Sequence, residues 1–219
     1  MTKKNIKDAL KYYFITDHDQ PDPSPLDQVR IALATGATLV QYRNKLFSLE
    51  KYAEAAAIRD LCQTYQVPFL VNDHILLAKA LNADGVHLGQ DDLSPRLARQ
   101  ILGIDAIIGL SVSTRQELEK SDLRDCDYIG SGPAFTTHTK PDAKPVRGPT
   151  GLSKIAGASP LPMVAIGGIT ADTVLPCRQA GAAGTAVISF ITRATNPVQN
   201  ARAFGKACGC LPRKMMTDQ

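Results

Sequence analysis

The residues of this chain able to do ionic or proton chemistry gather at a few short intervals. Gln41, Arg43 and Lys45 alternate, so in an extended segment they share one face; an amide followed by two cations makes a cradle for an anion, or else a frayed strand end with solvated charges. Asn72-Asp73 and His87-Leu88-Gly89-Gln90-Asp91-Asp92 close two apolar runs with carboxylates. Two carboxylates from adjacent strand ends suit Mg²⁺, which is held by one or two carboxylates with waters and substrate phosphates. Taken singly, Asp73 reads as a helix cap and Asp91 or Asp92 as a solvated turn. His87 lies within its run and reads more readily as a satisfied core histidine than as a catalyst. Ser111 ends another run.

The stretch Gly130-Ser131-Gly132-Pro133-Ala134-Phe135-Thr136-Thr137-His138-Thr139-Lys140 combines glycines, hydroxyls and one lysine, which suit phosphate oxygens. It is not a Walker A loop, because G-K-[ST] is missing. Gly167-Gly168 and the region of Ser189 offer backbone N–H groups for a second anion. The pattern implies a diphosphate with metal at one side of a site and a monophosphate at the other. No Ser/His/Asp or Cys/His arrangement and no strand-embedded Schiff-base lysine is legible.

Elements must bring these groups together. Short β-branched runs alternate with helical patterns about eight times. Expected strands are Tyr12–Thr16, Leu39–Arg43, Phe69–Val71, Gly85–Leu88, Ile107–Ser111, Tyr128–Gly130, Met163–Ile166 and Gly184–Ser189. Ser24-Pro25, Ser94-Pro95 and Asn196-Pro197 each pair an N-cap with a first-turn proline, Thr114-x-x-Glu117 reads as a capping box, and Ser48 opens a helix through Tyr65. This predicts an α/β protein, a single (β/α)₈ TIM barrel, in which active-site groups sit at the C-terminal strand ends. Nothing comparable marks the strand starts. A doubly wound open sheet is the rival, weakened because Thr16-Asp17-His18, and no G-x-G-x-x-G, follows the first strand.

Composition sets outer bounds. The 219 residues read as one domain, 1–219, with 1–11 and 208–219 as tails expected to fray. Lys and Arg number 25 against 21 Asp and Glu, and aromatics make up 5%, with no basic stripe interleaved with rings; nucleic acid is not an expected partner. The five cysteines lack zinc-finger or thioredoxin spacing and read as reduced thiols. Met1–Lys11 has no apolar stretch of a signal peptide, and Gln179–Thr192 is too short to span a bilayer, so a cytoplasmic protein without membrane contact is expected.

In order and spacing, the motifs Gln41-Tyr42-Arg43-Asn44-Lys45, Val71-Asn72-Asp73, Ala83-Asp84-Gly85-Val86-His87-Leu88-Gly89-Gln90-Asp91-Asp92, Ile108-Gly109-Leu110-Ser111, Asp127-Tyr128-Ile129-Gly130, Gly132-Pro133, Thr137-His138-Thr139-Lys140 and Ala165-Ile166-Gly167-Gly168-Ile169 closely resemble those of thiamine-phosphate synthases. The likeness runs from Tyr13 to about Thr192. It implies a Mg²⁺-dependent transferase of thiamine biosynthesis. Such an enzyme condenses hydroxymethylpyrimidine diphosphate with a thiazole ethyl phosphate, giving thiamine phosphate and diphosphate. By the same resemblance Asp73 and Asp92 hold Mg²⁺. Gln41, Tyr42, Arg43, Asn44, Lys45, Asn72, Ser111 and Lys140 hold the pyrimidine diphosphate, with Arg43, Lys45, Ser111 and Lys140 acting in catalysis. Thr137, His138, Thr139, Gly168, Ile188 and Ser189 hold the thiazole phosphate.

The chain departs from the family pattern at Tyr42 (usually Leu), Asn44 (commonly Glu), Thr136 (commonly Pro) and Val112-Ser113 (often Thr and His). These touch fine substrate fit and remove no charged ligand. Two rivals share the scaffold: a thiazole tautomerase, which would release no diphosphate, and an inactive binding protein, which should have lost one of Arg43, Asp73, Asp92 or Lys140. A homo-oligomer is left open.

Overall fold

Eight parallel strands close on themselves in chain order, each hydrogen-bonded to its sequence neighbours and the first to the last. The computed structural model describes residues 6–20, 22–137 and 145–213. The strands are β1 Tyr12–Ile15, β2 Leu39–Tyr42, β3 Phe69–Asn72, β4 Gly85–Leu88, β5 Ile107–Ser111, β6 Tyr128–Ser131, β7 Met163–Ile166 and β8 Gly184–Val187. Helices α1 Ile6–Ala9, α2 Pro25–Ala34, α3 Tyr52–Thr64, α4 Ile75–Ala80, α5 Pro95–Leu102, α6 Arg115–Lys120, α7 Gly148–Ala158, α8 Val174–Gln179, α9 Ser189–Thr192 and α10 Pro197–Cys208 lie between and beside them. None of the described helices is long and apolar enough to cross a membrane.

Why apolar runs rather than alternating ones form these strands is visible in the two cores. Strand side chains point alternately in and out, and here both sides are covered. Tyr12, Phe14, Val40, Val71 and Ile108 face outward and pack against Val29, Leu33, Ile58, Ala98, Ile155 and Phe204 of the surrounding helices. Tyr13, Ile15, Leu39, Leu70, Ile107, Tyr128 and Val164 face inward and fill the barrel. The outer layer is the larger store of stability. Phe204 of α10, fully buried, meets Tyr12 edge-on at 5.0 Å and 61°, and truncating such a side chain costs about 3–5 kcal/mol.

The polar-cap signals start helices as expected. Ser24, Ser94 and Asn196 accept from the backbone N–H groups of Asp27 (3.2 Å), Leu97 (3.3 Å) and Gln199 (3.0 Å). Thr114 Oγ1 accepts from Glu117 N at 3.0 Å. Glu117 reaches back one residue beyond the cap, to Ser113 N at 2.7 Å.

Several expectations are corrected. Ser48 makes no side-chain cap; a 3₁₀ turn, Leu49–Lys51, precedes α3. The last strand ends at Val187, and Ser189 opens α9. Within the stretch read as an N-terminal tail, Ile6–Ala9 is helical and Leu10 is fully buried. Cys208, at the end of α10, is buried too.

The strand starts also carry polar chemistry, contrary to the sequence reading. Asp84 and Asp127 precede β4 and β6. Each accepts, at 2.8 Å, from a backbone N–H of the preceding strand, Phe69 and Ile108 respectively. Arg99 of α5 donates to Ala106 O at 2.5 Å, Ile104 O at 3.0 Å, Asp125 O at 3.0 Å and the Asp127 carboxylate at 2.8 Å. These carboxylates tie off backbone groups that strand pairing leaves open at the floor.

Candidate active site

At the other end, where the strands exit, the barrel opens into a cavity of about 360 Å³. Gln41, Arg43 and Lys45 line it from β2 and the turn beyond, and Asn72 and Asp73 from β3. Asp91, Asp92 and Ser111 follow from β4 and β5, then Thr137, Gly168, Ile188 and Ser189 from the exits of β6 to β8. The pairing register places Asn72 beside His87 and Ser111 beside Gly130, so residues far apart in sequence become neighbours on one rim.

Two of the expected ligand residues are not brought there. Tyr42 is 1% exposed and packs in the outer core, edge-on to Phe47, its hydroxyl 3.2 Å from Glu54 Oε1. Asn44 is buried at 8% exposure, and its side chain accepts from Leu46 N at 2.9 Å, closing its own turn. Alternation is the reason: where Gln41 and Arg43 point in, their neighbours point out. His138, Thr139 and Lys140 lie outside the described residues.

The acidic pair is the electrostatic centre. Asp73 follows β3 with φ 62, a left-handed conformation that Asp tolerates better than most residues. Its amide donates to His87 O at 2.9 Å, pinning it to the exit of β4. Lys45 Nζ donates to Asp73 Oδ2, and Gly89 N donates to Asp92 Oδ2 at 2.6 Å. Burial alone would push the Asp73 carboxyl up; the Lys45 ammonium and the hydrogen bond with Asp92 outweigh it and hold it below the ordinary carboxylate range. Asp92 goes the other way: burial raises it, and the neighbouring Asp73 carboxylate raises it further against the pull of Gly89 N–H. The two carboxylates line the same rim of the cavity, and the ionised Asp73 opposes ionisation of Asp92. Such a pair is relieved by a divalent cation.

The cavity floor is a hydrogen-bonded chain that the sequence did not announce. Gln41 Nε2 donates to Tyr13 Oη; Tyr13 and Tyr128 share a hydroxyl contact at 2.9 Å. Tyr128 Oη lies 2.9 Å from His87 Nδ1, and His87 Nε2 lies 3.0 Å from Ser111 Oγ. Burial pushes both phenols above their usual range, so they stay neutral donors and acceptors. The chain links Gln41 to Ser111 across the barrel and gives His87 partners at both nitrogens. Gly109 makes room for it: a Cβ there would stand 2.2 Å from Tyr128 and 2.5 Å from His87. In the sequence Tyr13 is only one residue of the first apolar run.

On the far side Gly168, at φ +64, lies so close to the loop after β6 that a Cβ would meet Thr136 O at 2.4 Å. That loop is held to β7 by Ala134 N to Ile166 O at 2.8 Å and Phe135 N to Gly167 O at 2.9 Å. Beneath Ser189, α9 is anchored by Arg193 Nε donating to the buried Asp17 carboxylate at 2.8 Å.

A closed parallel barrel with a carboxylate pair, two cations and a glycine-lined pocket at its strand exits defines the chain as a barrel enzyme. It belongs to the thiamine monophosphate synthase family, whose family model matches residues 12–191. A thiamine-phosphate synthase of Bacillus licheniformis is 40% identical, the match covering 94% of each chain. One of Streptococcus suis is 45% identical, over 86% of this chain and 84% of its own. Among solved structures, a thiamine phosphate pyrophosphorylase of Pyrococcus furiosus superposes with a TM-score of 0.84 at 35% identity, covering 94% of this chain and 98% of its own.

Proposed function

We propose that the chain is a thiamine-phosphate synthase that works with Mg²⁺ in the cytoplasm, on small phosphorylated substrates. In this reading the methylene–oxygen bond of hydroxymethylpyrimidine diphosphate breaks with its electron pair on the departing diphosphate. The lone pair of the thiazole nitrogen of a thiazole ethyl phosphate forms the new C–N bond. The observation that carries the reading is the Asp73–Asp92 pair with Lys45 and Arg43 at one rim of the cavity.

The donor set fits the ion. Among the described residues no group of three or more His, Cys, Asp or Glu gathers. Two adjacent carboxylates, completed by water and phosphate oxygens, suit Mg²⁺ better than a metal needing a full protein cage. Asp73 and Asp92 would hold Mg²⁺, which would supply charge neutralisation to the leaving diphosphate. The chain's own cations serve the same end: Arg43 offers a forked donor to phosphate oxygens and Lys45 a point charge, both worth more as charge grows on the bridging oxygen. Lys140 joins them on sequence grounds alone. Asn72, Gln41 and Ser111 line the wall where the pyrimidine would rest, the latter two oriented through the tyrosine–histidine chain. Gly168, Thr137, Ile188 and Ser189 line the opposite wall for the thiazole phosphate. The aminopyrimidine itself can carry the positive charge left on its methylene, so no protein base is required.

The test is to mix the protein with both substrates and Mg²⁺. Thiamine phosphate and diphosphate should appear in equal amounts. Excess chelator should stop the reaction and added Mg²⁺ restore it. Isomerisation of the thiazole phosphate alone, or turnover indifferent to chelator, would sink the proposal.

A further inference from the structure

Behind the cavity wall, at the exit of β1, lies a polar cluster that the chemistry above does not use. The backbone of Arg43 is gripped at both ends from that side. Its N–H donates to Thr16 Oγ1 at 2.9 Å, and its carbonyl oxygen lies 2.7 Å from His18 Nδ1. The other ring nitrogen, His18 Nε2, lies 2.9 Å from Glu54 Oε1 of α3. The same carboxylate oxygen accepts from Tyr42 Oη at 3.2 Å, and the His18 ring stands edge-on to Tyr42 at 4.8 Å and 84°. Both side chains of the pair are largely withdrawn from water, at 13% and 24% exposure.

The hydrogen-bond inventory makes this more than packing. A carbonyl oxygen only accepts, so Nδ1 must carry the hydrogen toward Arg43. An ionised carboxylate also only accepts, so the second bond needs a hydrogen as well, on Nε2 or on the carboxyl. Glu54 thus holds the ring from behind while Nδ1 meets the Arg43 carbonyl, so carboxylate, imidazole and main chain form one continuous brace.

We propose that His18, clamped by Glu54, is a positioning residue for Arg43, fixing the turn after β2 so that the Arg43 guanidinium and the Lys45 ammonium face the cavity. The proposal rests on the reading that Arg43 holds the diphosphate. Tyr42, turned outward by the alternation of β2, completes the clamp on Glu54 with its hydroxyl.

Titration calorimetry of the full chain with inorganic diphosphate and Mg²⁺ tests it without any need for turnover. Arg43→Ala should weaken diphosphate binding most. His18→Ala should weaken it about tenfold, the worth of one hydrogen bond. The double variant should be no weaker than Arg43→Ala within about twofold, since a positioning residue has nothing left to position. KM for the thiazole phosphate should stay within about twofold in His18→Ala. Glu54→Gln can donate to a neutral ring at Nε2 and should keep parental affinity; Glu54→Leu, of similar bulk with no partner, should lose as much as His18→Ala. If His18→Ala fails to fold, the Glu54 pair of variants decides. Unchanged diphosphate affinity in His18→Ala or Glu54→Leu, or losses that add in the double variant, overturns the brace alone. Unchanged affinity in Arg43→Ala overturns the assignment of Arg43 to the diphosphate, and the brace with it.

Discussion

Arg99 and Arg43 stand at opposite ends of the same barrel and show what separates a structural charge from a working one. Arg99, at the floor, is 9% exposed and spends its guanidinium on the Gly103, Ile104, Ala106 and Asp125 carbonyls and on Asp127. Arg43, at the rim, has its backbone held by Thr16 and His18, while among the described residues its guanidinium has no partner and faces the cavity. At the floor the guanidinium of Arg99 is satisfied internally. The rim fixes main chain and leaves the charged tips for a ligand, the arrangement a preorganised anion site requires.

The largest effect expected from this contrast is on catalysis. Arg43→Ala should lower kcat/KM about a thousandfold, roughly 4 kcal/mol of transition-state stabilisation. Its melting temperature should match the parent's, because the side chain supports nothing else. A comparable loss of stability would show that the rim arginine is structural after all.

The mirror experiment, next in size, is at the floor. Asp127→Asn removes the carboxylate from a guanidinium whose side chain is 9% exposed, itself 11% exposed. Breaking such a buried pair costs about 3 kcal/mol, because the remaining charge is stranded. Urea unfolding should register that loss, while kcat/KM of the folded fraction stays at the parental value. A drop in kcat/KM without loss of stability would erase the distinction between the two ends.

Much of this contrast could be read from the residues, and the exceptions have physical causes. Strands β4, β5 and β7 have the bounds expected of them, because most of their residues are buried and little competes with the strand there. β8 stops short at Val187 although β-branched residues continue, since Ser189 must turn into α9 to close the rim. Gln41, Arg43, Asp73, Asp92 and Ser111 converge because residues at strand exits meet whatever the intervening length. Tyr42 and Asn44 belong to the contiguous motif in sequence, yet their side chains turn away from the site. Asp84 and Asp127 look like the rim aspartates in sequence. Only their place before a strand rather than after it gives their role. His18 and Glu54 are 36 positions apart, on elements whose packing angle no local pattern specifies.

The smallest effect on stability concerns Asp92 and sharpens the comparison by its sign. Burial and the Asp73 charge raise its carboxyl above the ordinary value, so in the metal-free protein ionised Asp92 is a liability. The stability tied to a raised carboxyl is present below its unfolded-state value, about 3.9, and is lost as pH climbs through the folded-state one. Asp73 behaves oppositely: its lowered carboxyl stabilises at neutral pH and loses that contribution on acidification. Asp92→Asn removes the liability and leaves Asp73 paired with Lys45 alone. In chelator at pH 7 the variant should therefore be slightly more stable than the parent, by roughly 0.5 kcal/mol because Asp92 is solvent-exposed. The gap should close below about pH 4, where the parent protonates, while diphosphate release stays abolished at every pH. At the floor, loss of a carboxylate weakens the fold and spares the chemistry; at the rim it should strengthen the fold and end the chemistry, as expected where stability has been given up to hold like charges together. Thermal melts of parent and variant across that pH range decide it, and a less stable Asp92→Asn at neutral pH would mean that the carboxylate serves the fold.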